Sequence, residues 1–271
     1  MSGDEQDIVR HYEGILEEER ITLGLGRLEL LRTREVLERH LPNPSVGILD
    51  VGGGAGVHAA WLSDAGHRVH VVDLTPRHVR LIQAELGSQG VTAEVGDARS
   101  LPVADNSFEV VLLLGPLYHM TNRADRIRAL REARRAVRAG GMIAIAGINR
   151  FASLFDGLSR GFLFDPAFRR IVERDLIDGQ HRNPSGHPNW FTTAYFHHPD
   201  ELLSEARAAG LRSRELVGVE GLAGWLPHLS KRWDSEEGRE AILYAARAVE
   251  QEPTLMGLSS HLLLIAEPEA S

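Results

Sequence analysis

The feature that most restricts the fold is a repeated order: a short apolar segment, a turn, then apolar residues at helical spacing. Residues 46–51 are apolar up to Asp50 and run into three glycines, after which Val57, Ala60 and Trp61 recur at helical intervals until Gly66 closes the helix. Arg68–Asp73 (RVHVVD) reads as a second strand, and Thr75 with Pro76 supplies an N-cap and a first-turn proline for a helix carrying Val79, Ile82 and Leu86. A third strand is expected at Thr92–Val95. Residues 108–114 (FEVVLLL) are almost continuously apolar, as a strand buried on both faces should be. Ile127, Leu130, Ala133 and Val137 then mark a helix stopped by Gly140 and Gly141, with residues 142–148 as a fifth strand. Parallel neighbours need crossover connections and cover on both faces, so the pattern predicts a doubly wound α/β sheet.

A helix over 199–209 and strand-like segments at 212–219 and 258–265 return to that sheet. The expected organisation is a helical arm over 1–45, an α/β core over 46–149, a lid insertion over 150–198, a return to the core over 199–220, a second insertion over 221–257, and a final strand and tail over 258–271.

Composition narrows the partners. Lys and Arg number 30 against 38 Asp and Glu, and a formal charge of -8 repels phosphate backbones and anionic membranes. The arginine-rich run RADRIRALREARRAVR has no interleaved aromatics, and its helical phase puts the arginines on a solvated face. Nucleic acid is therefore not expected as a partner. With no cysteine there is no disulfide and no thiolate nucleophile or ligand. The acidic, polar start and the lack of an apolar run near the roughly 20 residues of a membrane span lead us to expect a cytoplasmic protein without a membrane partner. The sequence carries no signal for an oligomeric state.

The turn ILDVGGGAGVHAAWL sits where a first strand meets a helix, so its glycines let the backbone approach a ligand and the helix offers free N–H groups. The dinucleotide fingerprint G-x-G-x-x-G is only partly met: Gly52 and Gly54 fit, and Val57 holds the third place. Asp73, about 20 residues further on, is placed to accept hydrogen bonds from ribose hydroxyls, which suits NAD as well. Asp97, just after the third strand, can accept from an adenine amino group while a neighbouring backbone N–H donates to the ring.

The stretches DVGGGAG, VVDLTP, GDARSLPVADNSFEVVLLLGPLYHM and RAGGMIAIAGINR, in this order and spacing, resemble the motifs of the class I S-adenosylmethionine-dependent methyltransferases, in particular a bacterial small-molecule branch. The resemblance covers about 45–149, and the family's Asp-x-Gly-x-Gly-x-Gly turn matches Asp50, Gly52, Gly54 and Gly56. It implies a Rossmann-like sheet of about seven strands, mostly parallel, with the last antiparallel. It also implies S-adenosylmethionine as cofactor, with Gly52 and Gly54 against its methionine part, Asp50 fixing the loop and favouring the cationic region, and Asp73 on the ribose. Asp97 and Ala98 would read the adenine, with Leu74 and Leu114 beside the cofactor. The helical arm would cover the site, so that Tyr12 or an arginine such as Arg32 meets the cofactor carboxylate.

Ligands in such sheets sit outside the carboxyl ends of the strands. GPLYHM falls at that edge, making Tyr118 and His119 acceptor contacts and His119 a candidate base, because histidine is matched to proton removal near neutral pH. The alternative is that His119 only packs within its loop. Asn149 and Arg150, at the end of the fifth strand, are further acceptor candidates. GQHRNPSGHPNWFTTAYFHHPDEL resembles the segment before the late helix in the same branch, giving Tyr195, His197 (also a candidate base) and Trp190 as acceptor contacts. Its histidines lack the spacing of a metal site, and no metal is expected.

The expected function is methyl transfer to an O, N or S atom of a small-molecule acceptor, a secondary metabolite among the candidates, with release of S-adenosylhomocysteine. An NAD(P)-dependent oxidoreductase and a non-catalytic S-adenosylmethionine-binding module are the alternatives.

Overall fold

The computed structural model describes residues 25–42 and 45–269. The alternation read from the sequence becomes one sheet. β1 (Gly47–Val51), β2 (Arg68–Asp73), β3 (Thr92–Val95), β4 (Phe108–Leu113) and β5 (Val137–Asn149) are parallel in the order β3-β2-β1-β4-β5. Beyond β5 lies β9 (His261–Pro268), antiparallel to β5, and then β8 (Leu211–Gly218), antiparallel to β9. Those seven strands are the expected set. Two more form a short hairpin, β6 (Gln180–His181) and β7 (Ala194–His197), with β7 parallel to the end of β5 through Ile148 and Asn149. Because β9 already pairs with Ile148 from the other side, β7 takes the edge of β5 that β4 leaves at Ile145.

The sheet is covered on both faces at its centre, which is why β1, β4 and most of β5 are apolar, whereas the outer strands β3 (TAEV) and β8 (LRSRELVG) carry exposed polar residues. Leu49, Val51, Val111, Leu113, Ile143 and Ile145 face α4 (Arg123–Ala136) and α7 (Pro199–Ala208) through Ile127, Leu130, Ala133, Leu202 and Ala206. The residues between them, Ile48, Val110, Leu112 and Met142, face α1 (Leu25–His40), α2 (Val57–Asp64) and α3 (Pro76–Glu85) through Val36, Leu37, Leu62 and Ile82. The two-residue period of a strand divides one apolar run between two cores.

The first insertion supplies α5 (Ala152–Arg160), α6 (Pro166–Asp178) and the β6–β7 hairpin. The second supplies α8 (Leu229–Trp233) and α9 (Glu236–Val249), which pack on α1 through Leu28, Ala223, Trp233 and Ile242. Among the described residues no helix is long and apolar enough to cross a membrane.

Three local expectations are corrected. Gly140 and Gly141 do not stop α4; the chain is already extended at Val137, and the glycines form an irregularity where the β4–β5 register shifts between Phe108 and Val110. A Cβ at Gly141 would lie 2.6 Å from the Glu109 carbonyl oxygen, so close strand approach requires glycine there. Thr75 occupies the N-cap of α3 without a side-chain cap; its own N–H donates to Asp73 Oδ1 at 2.8 Å. Nor is the α4 arginine face wholly solvated: Arg126 is 1% exposed and ion-paired to Glu205 at 2.6 Å.

Candidate functional site

At the carboxyl end of β1 the chain turns through Gly52, Gly54 and Gly56, all with positive φ. Gly52 N–H donates to the Val72 carbonyl at 2.7 Å, tying the turn to β2, and a Cβ on Gly52 would lie 2.9 Å from the Pro116 ring. The turn is thus clamped against the loop that follows β4. A Cβ on Gly54 would meet nothing within 4 Å, so this part of the turn faces open space.

Three carboxylates end three neighbouring strands here. Asp50 is 1% exposed, and neither of its oxygens has a hydrogen-bond partner among the described residues. Burial, with the Asp73 charge adding to it, pushes its carboxyl up to about 7. Gly53 is what allows that carboxylate its place, since a Cβ there would fall 2.6 Å from Asp50 Oδ2. An unpaired buried carboxylate is costly, and a cationic ligand group would relieve that cost.

Asp73 instead organises the local backbone. Its Oδ2 accepts the Gly54 N–H at 2.9 Å, and its Oδ1 accepts from Thr75 N–H at 2.8 Å and lies 3.1 Å from His78 Nδ1. A carboxylate offers about four acceptor positions, so about one remains for a hydroxyl. Asp97, a third exposed, is gripped by Arg99, with Nε and Nη2 at 3.0 and 2.6 Å and the Arg99 N–H at 2.8 Å. Partial burial raises the Asp97 carboxyl, but the bonds from Arg99 outweigh it and hold the group below the usual carboxylate range. Ala98 is buried beside it, and Leu114 packs on the sheet core. The sequence reading overlooked Arg99, although an arginine two residues after a turn aspartate is within reach of it. Leu74, partly buried, follows β2 directly.

The short helical turn Pro116–His119 carries Tyr118 and His119 to the same edge. Their rings lie edge-on at 4.8 Å, His119 stacks on Phe191 at 6.0 Å, and His119 Nδ1 lies 3.4 Å from the Thr193 carbonyl oxygen. Tyr118 joins Ile148 and, from the first insertion, Phe191 and Phe196 in an apolar cluster.

The remaining expected site residues are engaged elsewhere. Asn149 donates through Nδ2 to the Met256 carbonyl at 2.9 Å, and Arg150 joins the Phe196 carbonyl at 2.8 Å to Glu201 at 2.6 Å. The Tyr195 ring lies under the Arg126 guanidinium at 3.6 Å. His197 is fully buried against Glu205 at 3.3 Å, and burial lowers its imidazole against the upward pull of that carboxylate. Glu205 itself is held at about 2: burial opposes this, and bonds from His197 and Arg126 prevail. Trp190 is buried between His187 at 4.4 Å and Phe168 at 5.2 Å. Arg32 is buried on Glu250 and Glu35, with Nε 3.3 Å from the Val219 carbonyl oxygen. Tyr12 lies outside the described residues. The Trp190 contacts lie within the first insertion and the others fasten the arm and insertions to the sheet, so none of the site chemistry below is assigned to these residues.

A sheet of this order with a glycine turn after its first strand and carboxylates ending the next two is the architecture of Rossmann-like methyltransferases, and comparison with known proteins agrees. The family described as methyltransferase domain matches residues 49–145. The chain is 30% identical to the ubiquinone biosynthesis O-methyltransferase of Azorhizobium caulinodans over 198 residues, covering 69% of this chain and 70% of that one. It is 30% identical to the ubiquinone/menaquinone biosynthesis C-methyltransferase UbiE of Acidiphilium cryptum over 223 residues, covering 79% and 82%. A crystal structure of an S-adenosylmethionine-dependent methyltransferase from Methanosarcina mazei shares the fold, with TM-score 0.59, 16% identity, and 87% and 98% of the two chains covered. The chain belongs to the class I S-adenosylmethionine-dependent methyltransferases. It is an enzyme whose cofactor is S-adenosylmethionine.

The residues present fit that group. Asp50 offers an unmatched buried carboxylate to a ligand that carries an ammonium and a sulfonium, and the open side of Gly54 gives room for close approach. Sequence reasoning missed a second polar group at the same edge, Glu29, Glu220 and His261, whose ligand atoms lie within 4.8 Å of one another. They come from three distant stretches. The signal available was topological: a final antiparallel strand begins at the edge where the parallel strands end.

Proposed function

We propose that this enzyme transfers the methyl group of S-adenosylmethionine to an O, N or S atom of a small-molecule acceptor, releasing S-adenosylhomocysteine, with the acceptor seated under the lid beside Tyr118 and His119. The observation that carries the placing of the cofactor is the buried, unpaired Asp50 beneath an open glycine turn. When bound, the cofactor supplies an activated methyl on a cationic sulfur.

The chain's own residues then divide the work. Asp50 offers its charge to the cationic part of the ligand, Gly52 and Gly54 let the backbone lie close to it, and Leu74 and Leu114 flank it. Asp73 uses its remaining acceptor capacity for the ribose while holding the turn in shape. Asp97 and the Ala98 N–H address the adenine, with Arg99 fixing the carboxylate's orientation. The apolar cluster of Tyr118, Phe191 and Phe196 excludes water from the acceptor side, which favours alignment of the reacting atoms. His119, held between Tyr118 and Phe191, serves as an acceptor wall contact. Support for a small acceptor comes from the relatives, named for ubiquinone or menaquinone biosynthesis. One is named an O-methyltransferase and the other a C-methyltransferase, so the names do not choose the acceptor atom.

Calorimetry with S-adenosylhomocysteine and with NAD tests the cofactor placing, and a metabolite screen for S-adenosylhomocysteine release tests the acceptor class. Binding of the first ligand, none of the second, and turnover of a small metabolite are expected. NAD binding in its place would overturn the reading.

A further inference from the structure

The first insertion holds a cavity of about 240 Å3, lined by none of the residues given above to the cofactor or the acceptor. One wall is α6, where Ala167, Arg170, Ile171 and Arg174 recur at i, i+3, i+4 and i+7 and so share a face. The other wall is the chain that follows the helix: Gln180 of β6, then Pro184, Ser185 and Trp190. Trp190 packs in one apolar cluster with Phe168, Ile171 and Val172, so the two walls are joined by a buried contact behind the cavity. Gln180 is fixed as well, its Nε2 donating to the Thr121 carbonyl at 2.9 Å. Successive residues of a strand face opposite ways. Gln180 lines the cavity, whereas His181 beside it stacks on Phe196 at 4.8 Å, and Phe196 belongs to the cluster of Tyr118. The cavity and the acceptor side therefore lie on opposite faces of the β6–β7 hairpin.

The polar lining is one-sided. Arg170, Arg174 and Arg182 bring guanidinium groups to it, and among the described residues no carboxylate lines it. Arg170 and Arg174 stand one helical turn apart, a spacing at which like charges repel. A single carboxylate, Asp178, answers Arg174 through Nε at 2.7 Å, and among the described residues nothing answers Arg170. Arg182 donates through Nη1 to the His181 carbonyl at 2.9 Å, which holds a further positive charge at the same cavity. Trp190 is 6% exposed, and its indole N–H is buried with no hydrogen-bond partner among the described residues. A buried donor without an acceptor is costly. Repelling cations and an unmet donor thus meet around one apolar hollow, and the group that relieves both is an anion carrying oxygen acceptors.

We propose that this cavity is a second ligand site of the enzyme and binds a small organic anion, its carboxylate or phosphate between Arg170 and Arg174 and its apolar body against Ile171, Pro184 and Trp190. Guanidinium groups pair with both oxyanions through parallel N–H bonds, so carboxylate and phosphate share one recognition chemistry here. The apolar side chains beside the arginines require a body as well as a charge, and a bare inorganic ion leaves them uncovered. Size sets the other limit: the volume falls below the roughly 300 Å3 at which drug-sized sites begin, which restricts the body to about one ring. Neutral ligands leave the arginine pair repelling, and cations add to the repulsion. The site lies apart from the methyl donor, so cofactor and anion bind together.

The test is calorimetry on the full-length protein with benzoate, phenyl phosphate and the neutral benzamide, each with and without saturating S-adenosylhomocysteine. One benzoate or one phenyl phosphate should bind per chain, with benzamide at least about tenfold weaker. Saturation with S-adenosylhomocysteine should change the anion affinity by less than about twofold. Arg170→Gln and Arg174→Gln should each weaken the anion about tenfold or more. Arg169→Gln removes the same charge one position away on α6, from a side chain turned to the Leu163 carbonyl at 2.9 Å, and should change the affinity by less than about twofold. Tryptophan fluorescence locates the ligand independently: benzoate should alter it in the wild type and leave it unaltered in Trp190→Phe, which keeps a ring in the wall. The proposal is overturned by benzamide binding as tightly as benzoate, by equal losses in Arg169→Gln and Arg170→Gln, or by displacement of the anion with S-adenosylhomocysteine. It is equally overturned by a fluorescence change that survives in Trp190→Phe, or by no heat from either anion at millimolar concentration. No methyl acceptor and no turnover enter these measurements, so their failure leaves the methyl-transfer reading standing.

Discussion

The two halves of the sheet treat buried charge in opposite ways. Over β1 and β4 the carboxyl edge keeps Asp50 dry and unpaired, with an open glycine turn above it. Over β5 and β7 the buried charges answer one another: Arg126 with Glu205, Glu205 with His197, Arg150 with Glu201. Both halves are rich in polar residues at strand ends and His197 keeps a buried Nδ1 without a partner, but among the described residues only Asp50 has a carboxylate with neither oxygen matched. A polar residue at the carboxyl edge is therefore a ligand candidate when its charge is left without a partner, and a fastening for an insertion when it is not.

The largest effect that could break this contrast lies in the fastened half. Arg126→Ala leaves Glu205 buried without its guanidinium and should cost about 3–5 kcal/mol in unfolding free energy, read by denaturant titration. S-adenosylhomocysteine affinity should stay within about twofold, because Arg126 touches Glu205, Tyr195 and the Met120 and Thr121 carbonyls beyond the Pro116–His119 turn, and no part of the glycine turn. The same network has a pH signature. Glu205 sits at about 2 in the folded chain against an ordinary 4.5, so its contribution, of order 3 kcal/mol, is present above about pH 4.5 and lost as pH falls toward 2. Stability that does not fall in that window would mean the network is weaker than its geometry.

In the other half the sign is reversed. Asp50 titrates at about 7 when folded against an ordinary 3.8, so the folded state holds its proton more tightly and stability from this group is lost as pH rises from about 4 through 7. At pH 8 Asp50→Asn should stabilise the ligand-free protein by up to about 4 kcal/mol, with the advantage fading as pH falls toward 4. S-adenosylmethionine affinity should meanwhile drop at least about tenfold for the lost charge. A variant less stable at pH 8, or one binding the cofactor normally, would place Asp50 with the fastenings.

Asp97 stands between the two cases, since it has a partner and is also the expected adenine contact. Asp97→Ala should weaken cofactor binding by about 1.5–3 kcal/mol, measured by calorimetry. Arg99→Ala should weaken it less, because the carboxylate remains and loses only its orientation. If Arg99→Ala is the more damaging, the guanidinium is the ligand contact.

This contrast also marks what could be read before any coordinates. Strand and helix positions through β4 follow from residue periods, and Asp50, Asp73 and Asp97 stand out because each ends a strand of a sheet whose carboxyl edge is where ligands go. Asn149, Arg150, Tyr195 and His197 looked equally exposed to that edge in the sequence. What sets them apart is partnership with Met256, Phe196, Glu201 and Glu205, which lie 45 or more positions away in most cases and carry no local signature. Glu220 with His261 is illegible for the same reason, 41 residues separating two groups that only the antiparallel last strand brings together. The β6–β7 hairpin escaped because β6 has only two residues and β7, buried along its whole length, shows no apolar–polar alternation and does not sit in the strand–helix alternation that located the equally short β3.

The smallest effect isolates the open turn itself. Gly54 and Gly66 have φ of +58 and +90, and a Cβ at either would meet nothing within 4 Å, so an alanine at each carries backbone strain without a clash. That strain costs about 1–2 kcal/mol in either place. Gly66 closes α2 at its far end, remote from the turn, and Gly54 bonds to Asp73 through its N–H. Gly66→Ala should therefore lower stability and leave cofactor affinity alone, whereas Gly54→Ala should lower both, because its new methyl projects into the space kept clear for the ligand. Equal cofactor affinity in the two variants, after matching for stability by thermal denaturation, would mean that the space above Gly54 is merely solvent and that the ligand meets the turn on its other side.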